Sequence, residues 1–381
     1  MRTKIFRVVT GSVNVPWHLD NTLQRLPEDF DVFVVGEDVS QFKNDYPDVT
    51  FIDIRIARKM NILVDLLTLF SLCKLFIYYK PQIVHSIMPK AGLIAAISGF
   101  ICFVPIRIHT FTGQTWATKS GVCRYSLRLI DKLINKLNTI CLTDSISQSN
   151  FLFENKISFL GSPLLVLSKG SLSGVNIKRF NRASLEKEMK KLRDSLQINQ
   201  NDFIFAFIAR KTCDKGAIVM LNAFSLVSNK IQNCKLVFVG PDEDAEIERL
   251  RKVSPELFIN VIDIGSVSNH ESYLAIADVL CLPSFREGFG SIVIDAAALG
   301  IPTIGSNIPG LIDSIENGET GILFPLGDHY RMAEIMLELT FDDRLKKSLG
   351  DSARVRVYKF FSADILYKEL KKLYLGLLES H

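Results

Sequence analysis

Short apolar runs rich in β-branched and aromatic residues alternate with helix-length amphipathic segments along most of this 381-residue chain. The predicted strands are residues 6–10, 32–35, 50–52, 83–85, 106–110 and 139–142 in the first half, and residues 203–208, 235–239, 261–264, 279–282 and 302–305 in the second. Strands that alternate with helices pair in parallel, and helices cover both faces of the sheet. The sequence therefore predicts an α/β protein built from doubly wound parallel sheets.

This alternation is weakest across about residues 160–200, so we place a domain boundary near residues 178–183. A chain of this length accommodates two or three domains of roughly 100–200 residues each. We predict an N-terminal Rossmann-like domain at residues 1–180 and a C-terminal one at residues 181–358. The last segment, residues 359–381, is predicted to hold a helix that crosses back to the first domain. Doubly wound sheets bind ligands at the carboxyl ends of their strands, so we expect the site in the cleft between the domains.

Charge is unevenly distributed along the chain. The whole sequence has a net charge of +4, but residues 51–140 contain 12 Lys and Arg residues against 3 Asp and Glu residues. This basic, apolar region predicts an anionic partner such as a phosphate group or an acidic membrane surface. A generic solvated basic face is the alternative. Nucleic acid is not expected, because the sequence has no helix-turn-helix spacing, zinc finger, RNP-type aromatic motif or dense Lys/Arg run.

Two apolar stretches approach the length of a membrane span. Residues 61–79 are interrupted by Asp65 and Lys74, and residues 91–106 contain Gly99 and Pro105. A bilayer core needs about 20 apolar residues, and a charge at its centre costs roughly 2.5–3.5 kcal/mol. We predict buried or surface-docking helices instead. The seven cysteines form no CxxC pair, which indicates a reducing compartment. We therefore expect a cytoplasmic protein, peripheral on the inner face of the plasma membrane.

The segment from 279 to 302, VLCLPSFREGFGSIVIDAAALGIP, carries the most chemical information. It predicts a strand, a glycine-containing loop and then a helix at residues 291–299, an arrangement that presents backbone N–H groups and a positive dipole to an anion. Gly288 and Gly290 leave room for a ligand against the backbone. The carboxylates of Glu287 and Asp295, eight residues apart, can accept hydrogen bonds from sugar hydroxyls. Ordinary structural roles for both carboxylates are the alternative.

The segment SFREGFGSIVIDAAALGIPTIGSNIPG resembles the signature of the retaining glycosyltransferases of family 4, which have the GT-B fold of two Rossmann-like domains facing across a cleft. The resemblance implies that Glu287 contacts the donor sugar and that the Gly288-Phe289-Gly290 amides lie near the sugar and diphosphate. It also implies that Asp295 contacts the nucleotide ribose. Asp295 stands where the family has a second glutamate, so its carboxylate has a shorter reach.

A second segment, Ala209-Arg-Lys-Thr-Cys-Asp-Lys-Gly216, follows the predicted strand at residues 203–208 and is similar to the family's Gly-Arg…Lys-Gly element. The resemblance implies that Arg210 and Lys215 neutralise the donor diphosphate, a role suited to a bidentate fork and a point charge. The alternative interpretation is that Arg210 and Lys215 are simply two surface cations on a loop. Residues 310–328 also follow the family pattern, with turns expected at Gly318 and Gly321.

Three segments of the first half add weaker resemblances. His109 is predicted at the end of a strand facing the cleft, where the family often has a histidine that contacts the donor sugar; a structural hydrogen bond is the alternative. Gly11 lies in a segment that resembles the family's early glycine loop, which touches donor phosphates or acceptor. Residues 80–99 resemble the acceptor-binding domain of bacterial enzymes that build capsule, O-antigen or lipid-linked glycans. The implied acceptor is a glycan, lipid-linked through polyprenyl diphosphate or a free oligosaccharide.

We therefore predict a retaining hexosyl- or N-acetylhexosaminyltransferase whose second domain binds a nucleotide sugar, expected to be UDP-linked. No metal or other cofactor is expected, because no Asp-x-Asp ends a strand and Arg210 and Lys215 supply positive charge. A GT-B nucleotide-sugar epimerase and a non-catalytic assembly partner are the alternatives. A dinucleotide-dependent oxidoreductase is disfavoured, because no G-x-G-x-x-G follows the first strand.

Overall fold

A computed structural model describes residues 2–57, 61–158, 161–243 and 245–380. It divides into two compact units, the first made of Met1–Gly174 with Ala363–His381 and the second of Val175–Ser362. Both units are α/β, as predicted.

The strands and helices are numbered in chain order. The strands are β1 (Lys4–Gly11), β2 (Asp31–Glu37), β3 (Val49–Asp53), β4 (Ile83–Ile87), β5 (Ile106–Phe111), β6 (Ile140–Thr143), β7 (Leu165–Val166), β8 (Phe203–Ile208), β9 (Cys234–Val239), β10 (Val261–Ile264), β11 (Val279–Leu282), β12 (Thr303–Ser306) and β13 (Gly321–Phe324). The helices are α1 (Asp20–Leu23), α2 (Ile62–Tyr79), α3 (Pro89–Ile101), α4 (Gly121–Leu137), α5 (Ile146–Glu154), α6 (Arg182–Ser195), α7 (Ala217–Ser228), α8 (Glu246–Val253), α9 (His270–Ala275), α10 (Ser291–Ala298), α11 (Leu311–Ser314), α12 (His329–Phe341), α13 (Asp343–Phe360) and α14 (Ala363–Glu379).

Each unit contains one parallel sheet. The strand order is β3-β2-β1-β4-β5-β6-β7 in the first and β10-β9-β8-β11-β12-β13 in the second. Both sheets therefore follow the doubly wound order 3-2-1-4-5-6, whose direction reverses between the first and fourth strands. The central strands are buried on both faces, which explains why they read as continuous apolar runs rather than alternating ones.

The predicted strands are all present, with ends that differ by up to two residues. Two strands were not predicted from the sequence: β7, which is only two residues long, and β13. The prediction of a turn at Gly321 was wrong, because this residue begins β13 and pairs with Thr303. A Cβ at Gly321 would lie 2.3 Å from the Thr303 carbonyl oxygen, so glycine is needed for close strand pairing rather than for a turn. Gly318, with φ of +79°, does lie in a turn.

The last helix, α14, belongs to the first unit. Its Tyr374 is fully buried, and the Tyr374 hydroxyl lies 2.6 Å from Nδ1 of His85 and 3.3 Å from Nη1 of Arg7. Burial, with a smaller effect of the Arg7 charge, holds the pKa of His85 well below its usual value. Because Arg7 donates to the Tyr374 oxygen, the hydroxyl proton is available for Nδ1. Nε2 of His85 then donates to the Thr110 hydroxyl at 2.7 Å, so one polar chain ties α14 to β1, β4 and β5.

The first unit also contains a carboxyl group with a predictable pH response. Asp131 on α4 is 2% exposed and accepts a 2.6 Å hydrogen bond from Nε1 of Trp116. Burial raises the pKa of Asp131 to about 7, although the bond from Trp116 opposes the shift. Between the pKa of Asp131 in the unfolded chain and about pH 7, the folded protein keeps the Asp131 proton and the unfolded chain has lost it. The free energy of unfolding therefore falls as the pH rises through this range.

We therefore expect Asp131→Asn, which keeps an acceptor for Trp116, to gain about 2–3 kcal/mol in unfolding free energy relative to wild type between pH 5 and pH 8. The measurement is urea unfolding followed by circular dichroism at several pH values. The matched control is Asp194→Asn at an exposed position on α6. A difference between Asp131→Asn and wild type that does not grow with pH would contradict the expectation.

Candidate active site

The direction of the second sheet reverses between β8 and β11, which are neighbouring strands. The loop at residues 209–216 follows β8, and the loop at residues 283–290 follows β11. The two loops touch through their backbones, since the Phe285 N–H donates to the Asp214 carbonyl at 2.9 Å. Gly216 has φ of +72°, and a Cβ there would lie 1.9 Å from the Pro283 carbonyl oxygen. Only glycine permits this approach, so the two loops are held together at the carboxyl edge of the sheet.

Glu287 and Lys215 meet across this loop contact. Oε1 of Glu287 accepts a 2.7 Å hydrogen bond from Nζ of Lys215 and a 2.8 Å bond from the hydroxyl of Ser284. The side chains of Lys215 and Glu287 are only 18% and 12% exposed. The carboxylate is therefore fixed in place by a partly buried, charge-assisted contact.

Two arginines lie beside this pair. The Nη2 atoms of Arg210 and Arg286 are 3.4 and 3.1 Å from Oδ2 of Asp214, and Nη1 of Arg210 is 3.0 Å from Oε2 of Glu243. Burial raises the pKa of Asp214, but a hydrogen bond from a neighbouring threonine hydroxyl and the nearby cations outweigh burial and lower it. The result is a cluster of cations suited to an anionic ligand such as a phosphate.

The loop after β11 turns into α10 at Gly290. Gly290 has φ of +77°, and a Cβ there would lie 2.6 Å from Cδ2 of Leu311. Phe289 is 2% exposed and packs against Phe361, with ring centroids 5.2 Å apart. The buried Phe289 ring anchors the turn, so this side chain is part of the core. Gly288 precedes it, and α10 starts at Ser291 with its first backbone N–H groups at the same edge of the sheet.

Asp295 lies one turn inside α10 and is 9% exposed. Its Oδ2 is 3.4 Å from Nε2 of His270, the first residue of α9. Burial raises the pKa of Asp295, and the contact with His270 partly opposes that rise. The shortened carboxylate at this position is thus paired with a histidine from the neighbouring helix.

His109 lies within β5 and not at its end, because β5 continues to Phe111, which pairs with Thr143. The ring is 1% exposed, and Nδ1 is 2.9 Å from the Ser86 hydroxyl. Gly92 makes room for it, since a Cβ there would lie 2.3 Å from the ring. Burial lowers the pKa of His109 to about 3, so the imidazole is neutral at physiological pH.

Gly11 ends β1 opposite Glu37, and its carbonyl accepts a 3.1 Å hydrogen bond from Nδ2 of Asn14. A Cβ at Gly11 would meet nothing closer than 3.9 Å. Among the described residues, therefore, no backbone contact requires glycine at position 11.

The structure brings the two loops of the second unit together, and with them the predicted residues Arg210, Lys215, Glu287, Gly288, Phe289 and Gly290. Asp295, also in the second unit, lies one turn into α10 against His270. The other two, His109 and Gly11, belong to the first unit. Sequence reasoning missed Asp214, Ser284, Arg286 and His270; the first three lie inside the two motifs, whereas no sequence signal marked His270. In the part of the chain that the structure describes, no group of three or more His, Cys, Asp or Glu residues is arranged to hold a metal.

Comparison with known proteins identifies the family of the chain. The profile of the family described as glycosyl transferases group 1 matches residues 188–356. The capsular polysaccharide biosynthesis glycosyltransferase CapM of Staphylococcus aureus is 33% identical over 97% of this chain and 96% of its own length. The chain belongs to the group 1 glycosyltransferases.

Two further proteins place this glycosyltransferase among its relatives. The UDP-Gal:alpha-D-GlcNAc-diphosphoundecaprenol alpha-1,3-galactosyltransferase of Escherichia coli is 25% identical over 85% of this chain and 82% of its own length. The structure of HepE from Anabaena in complex with UDP and glucose matches with a TM-score of 0.82, covering 98% of this chain and 100% of that one at 15% identity. This likeness shows that the glycosyltransferase has the GT-B fold, as predicted.

Gly310 offers a test of how strictly the loop carrying Glu287 must be placed. Gly310 has φ of +91°, and a Cβ there would lie 2.6 Å from the Gly288 carbonyl oxygen and 2.8 Å from that of Glu287. Gly310→Ala should push this backbone aside and slow sugar transfer by about 100-fold, the order of loss that a misplacement of about 1 Å produces. The rate is measured by mass spectrometry of the product, with a thermal melt to confirm folding.

The matched control is Gly318→Ala. Gly318 also has positive φ, +79°, but a Cβ there would meet nothing within 4 Å. It carries a similar backbone penalty without the collision, so transfer should stay near the wild-type rate. Equal rates for the two variants would show that the Glu287 loop tolerates displacement.

Proposed function

We propose that this glycosyltransferase moves a hexosyl or N-acetylhexosaminyl group from a UDP-linked donor to a lipid-linked glycan, with retention of anomeric configuration, in the synthesis of a bacterial surface polysaccharide. The observation that supports the proposal is the contact between Lys215 and Glu287, a cation and a carboxylate held together at the switch point of the second sheet. In this proposal the cation binds phosphate and the carboxylate binds sugar.

On the donor side, Arg210 and Lys215 are proposed to neutralise the diphosphate, and the amides of Gly288 to Gly290 to lie close to it. As the bond from the sugar to the phosphate breaks, negative charge develops on the leaving UDP, and preorganised cations stabilise that charge. Asp295 is proposed to accept from the ribose hydroxyls. The UDP named in the Escherichia coli relative and bound in the HepE structure supports a uridine nucleotide.

The proposed route to retention is a same-face substitution. The acceptor hydroxyl forms its bond to the anomeric carbon as the bond to the diphosphate breaks, and the leaving phosphate oxygen takes the hydroxyl proton. Glu287 suits an orienting role, because its Oε1 already accepts hydrogen bonds from Lys215 and Ser284. In this proposal Glu287 holds donor sugar hydroxyls and does not attack the anomeric carbon.

The roles proposed in the first unit rest on the sequence resemblance. The neutral ring of His109 is assigned to the donor sugar, and Gly11 to donor phosphates or acceptor. The acceptor is proposed to be a polyprenyl-diphosphate-linked sugar. The capsular role named for CapM and the diphosphoundecaprenol substrate named for the Escherichia coli relative support this class. Such an acceptor places the enzyme at the inner face of the plasma membrane, as a cytoplasmic peripheral protein.

Lys215→Ala and Glu287→Ala should separate the two halves of donor recognition. Lys215→Ala should weaken binding of UDP itself and reduce transfer by about 100- to 1,000-fold. Glu287 is proposed to hold the donor sugar and not the diphosphate. Glu287→Ala should therefore leave the affinity for UDP unchanged. It should abolish both the extra affinity that the sugar contributes and the transfer reaction. Binding of UDP and of UDP-sugars is measured by calorimetry, and transfer by mass spectrometry with lipid extract as acceptor.

Lys187→Ala and Glu319→Ala, at exposed positions in the same unit, are the matched controls. Full transfer by both site variants would overturn the assignment of the site. Conversion of the donor sugar without any acceptor would identify an epimerase, and donor binding without product would identify a non-catalytic partner. GDP- and dTDP-sugars tested in parallel decide the nucleotide.

A further inference from the structure

The outer face of α2 is apolar except at Lys74, whose Nζ lies 4.6 Å from the centroid of the Phe70 ring. Among the described residues, α2 is the one helix long and apolar enough to cross a membrane, yet only 17% of it is buried. Seven large side chains are between 59% and 78% exposed: Ile62, Leu63, Leu66, Leu67, Phe70, Ile77 and Tyr78. Monomeric soluble proteins rarely leave so large a contiguous apolar surface uncovered.

The apolar surface extends beyond α2. Helix α3 packs between α2 and α4, so the three helices form one layer against the first sheet. On α4, Val122, Tyr125, Leu129 and Leu133 are 84%, 64%, 46% and 40% exposed and are spaced to lie on one side of the helix. At the end of α3, Phe103 is 88% exposed. We call the exposed side of this layer the α2–α4 face.

Positive charge borders the α2–α4 face. On α4, Lys132 and Lys136 lie beside the exposed apolar side chains. The guanidinium groups of Arg124 and Arg128 instead lie 5.4 and 5.6 Å from the ring of the buried Trp116. The three helices carry six Lys and Arg residues against two acids. Of the two acids, Asp131 is buried and Asp65 pairs with Lys90 at 2.8 Å. The charge that reaches the surface of this face is therefore cationic.

A transmembrane role for α2 conflicts with its inner side. Leu72 and Phe76 belong to the hydrophobic core that α2 shares with α3 and the first sheet. The buried Thr68 hydroxyl donates to the Arg55 carbonyl at 2.6 Å. Insertion of α2 across a bilayer would expose this core. A helix that keeps its inner side on the protein can still bury its outer side in the interface of a membrane.

We propose that the α2–α4 face is a docking surface for an anionic lipid bilayer, with the apolar α2 side chains inserted among the acyl chains and the α4 lysines, Lys132 and Lys136, on the lipid phosphates. A second copy of the chain fits less well, because pairing two such faces would bring the exposed lysines of both copies together. The inference rests on the proposed function, since docking brings the enzyme to a lipid-linked acceptor. Docking itself is measured without catalysis.

The test is flotation of the full-length protein with vesicles of phosphatidylglycerol and phosphatidylcholine at 1:1, and with vesicles of phosphatidylcholine alone. The wild type should bind the anionic vesicles and bind the neutral ones much more weakly. The triple variant Leu63→Gln, Leu67→Gln, Phe70→Gln should lose about tenfold or more of this binding. Lys132→Gln with Lys136→Gln should lose only the preference for phosphatidylglycerol.

The matched control removes three exposed apolar side chains from the second unit, as Val253→Gln, Phe341→Gln, Val355→Gln, and should bind as the wild type does. Transfer to a water-soluble acceptor analogue should be unchanged in the α2 variant. Hydrogen–deuterium exchange of the wild type with and without vesicles gives a measurement that needs no variant, and protection across residues 62–70 is expected.

Three results would overturn the proposal: no binding of the wild type to anionic vesicles, full binding by the α2 triple variant, or a wild-type dimer that this variant converts to monomer while vesicle binding persists. The last result would identify a second copy as the occupant. An enzyme that docks but transfers sugar to no lipid-linked acceptor would refute the proposed function and leave the docking surface standing.

Discussion

The site depends on one close backbone approach, that of Gly216 to the carbonyl of Pro283. A side chain at residue 216 could not be accommodated without separating the loops that follow β8 and β11. Their separation would part Lys215 from Glu287, which are 72 residues apart in sequence and 2.7 Å apart in space. Because β8 and β11 are adjacent where the sheet reverses direction, the fold brings the loops near each other, and Gly216 allows the last ångströms of approach.

The cations of the site differ in how readily a ligand can take them over. Arg210 and its partners Asp214 and Glu243 are about one-third exposed, and pairs in that setting contribute little net stability because water competes for them. The pair of Lys215 and Glu287 is less exposed, so its charges are screened less. A diphosphate can therefore exchange for the carboxylates around Arg210 at low cost, while the contact that orients Glu287 persists. The ammonium of Lys215 carries three N–H donors, so in the proposed function it meets the diphosphate while still holding Glu287.

The sequence predicted the parallel sheets well because buried strands leave an unmistakable apolar signal. It missed β7 and β13 for physical reasons: β7 pairs over only two residues, and β13 begins at a glycine that the sequence suggests as a turn. The motif residues of the second unit were found from their spacing and the family resemblance, but their partners were not. His270 contacts Asp295 only because α9 and α10 are neighbours in the fold, and the space for the ring of His109 on β5 depends on Gly92 of helix α3. Such contacts depend on tertiary packing, which a local pattern does not record.

The contact between Asp295 and His270 gives a physical account of the one departure from the family pattern within the Glu287 motif. A glutamate at residue 295 would carry its carboxylate about one methylene farther from the backbone. The carboxylate of Asp295 stays close to α10, where the residue is only 9% exposed and burial disfavours its charged form. A buried carboxylate without a partner would be costly, and the imidazole 3.4 Å away provides one. Asp295 and His270, the first residue of α9, thus form one buried polar pair. If Asp295 meets the ribose as proposed, it does so as the buried partner of His270.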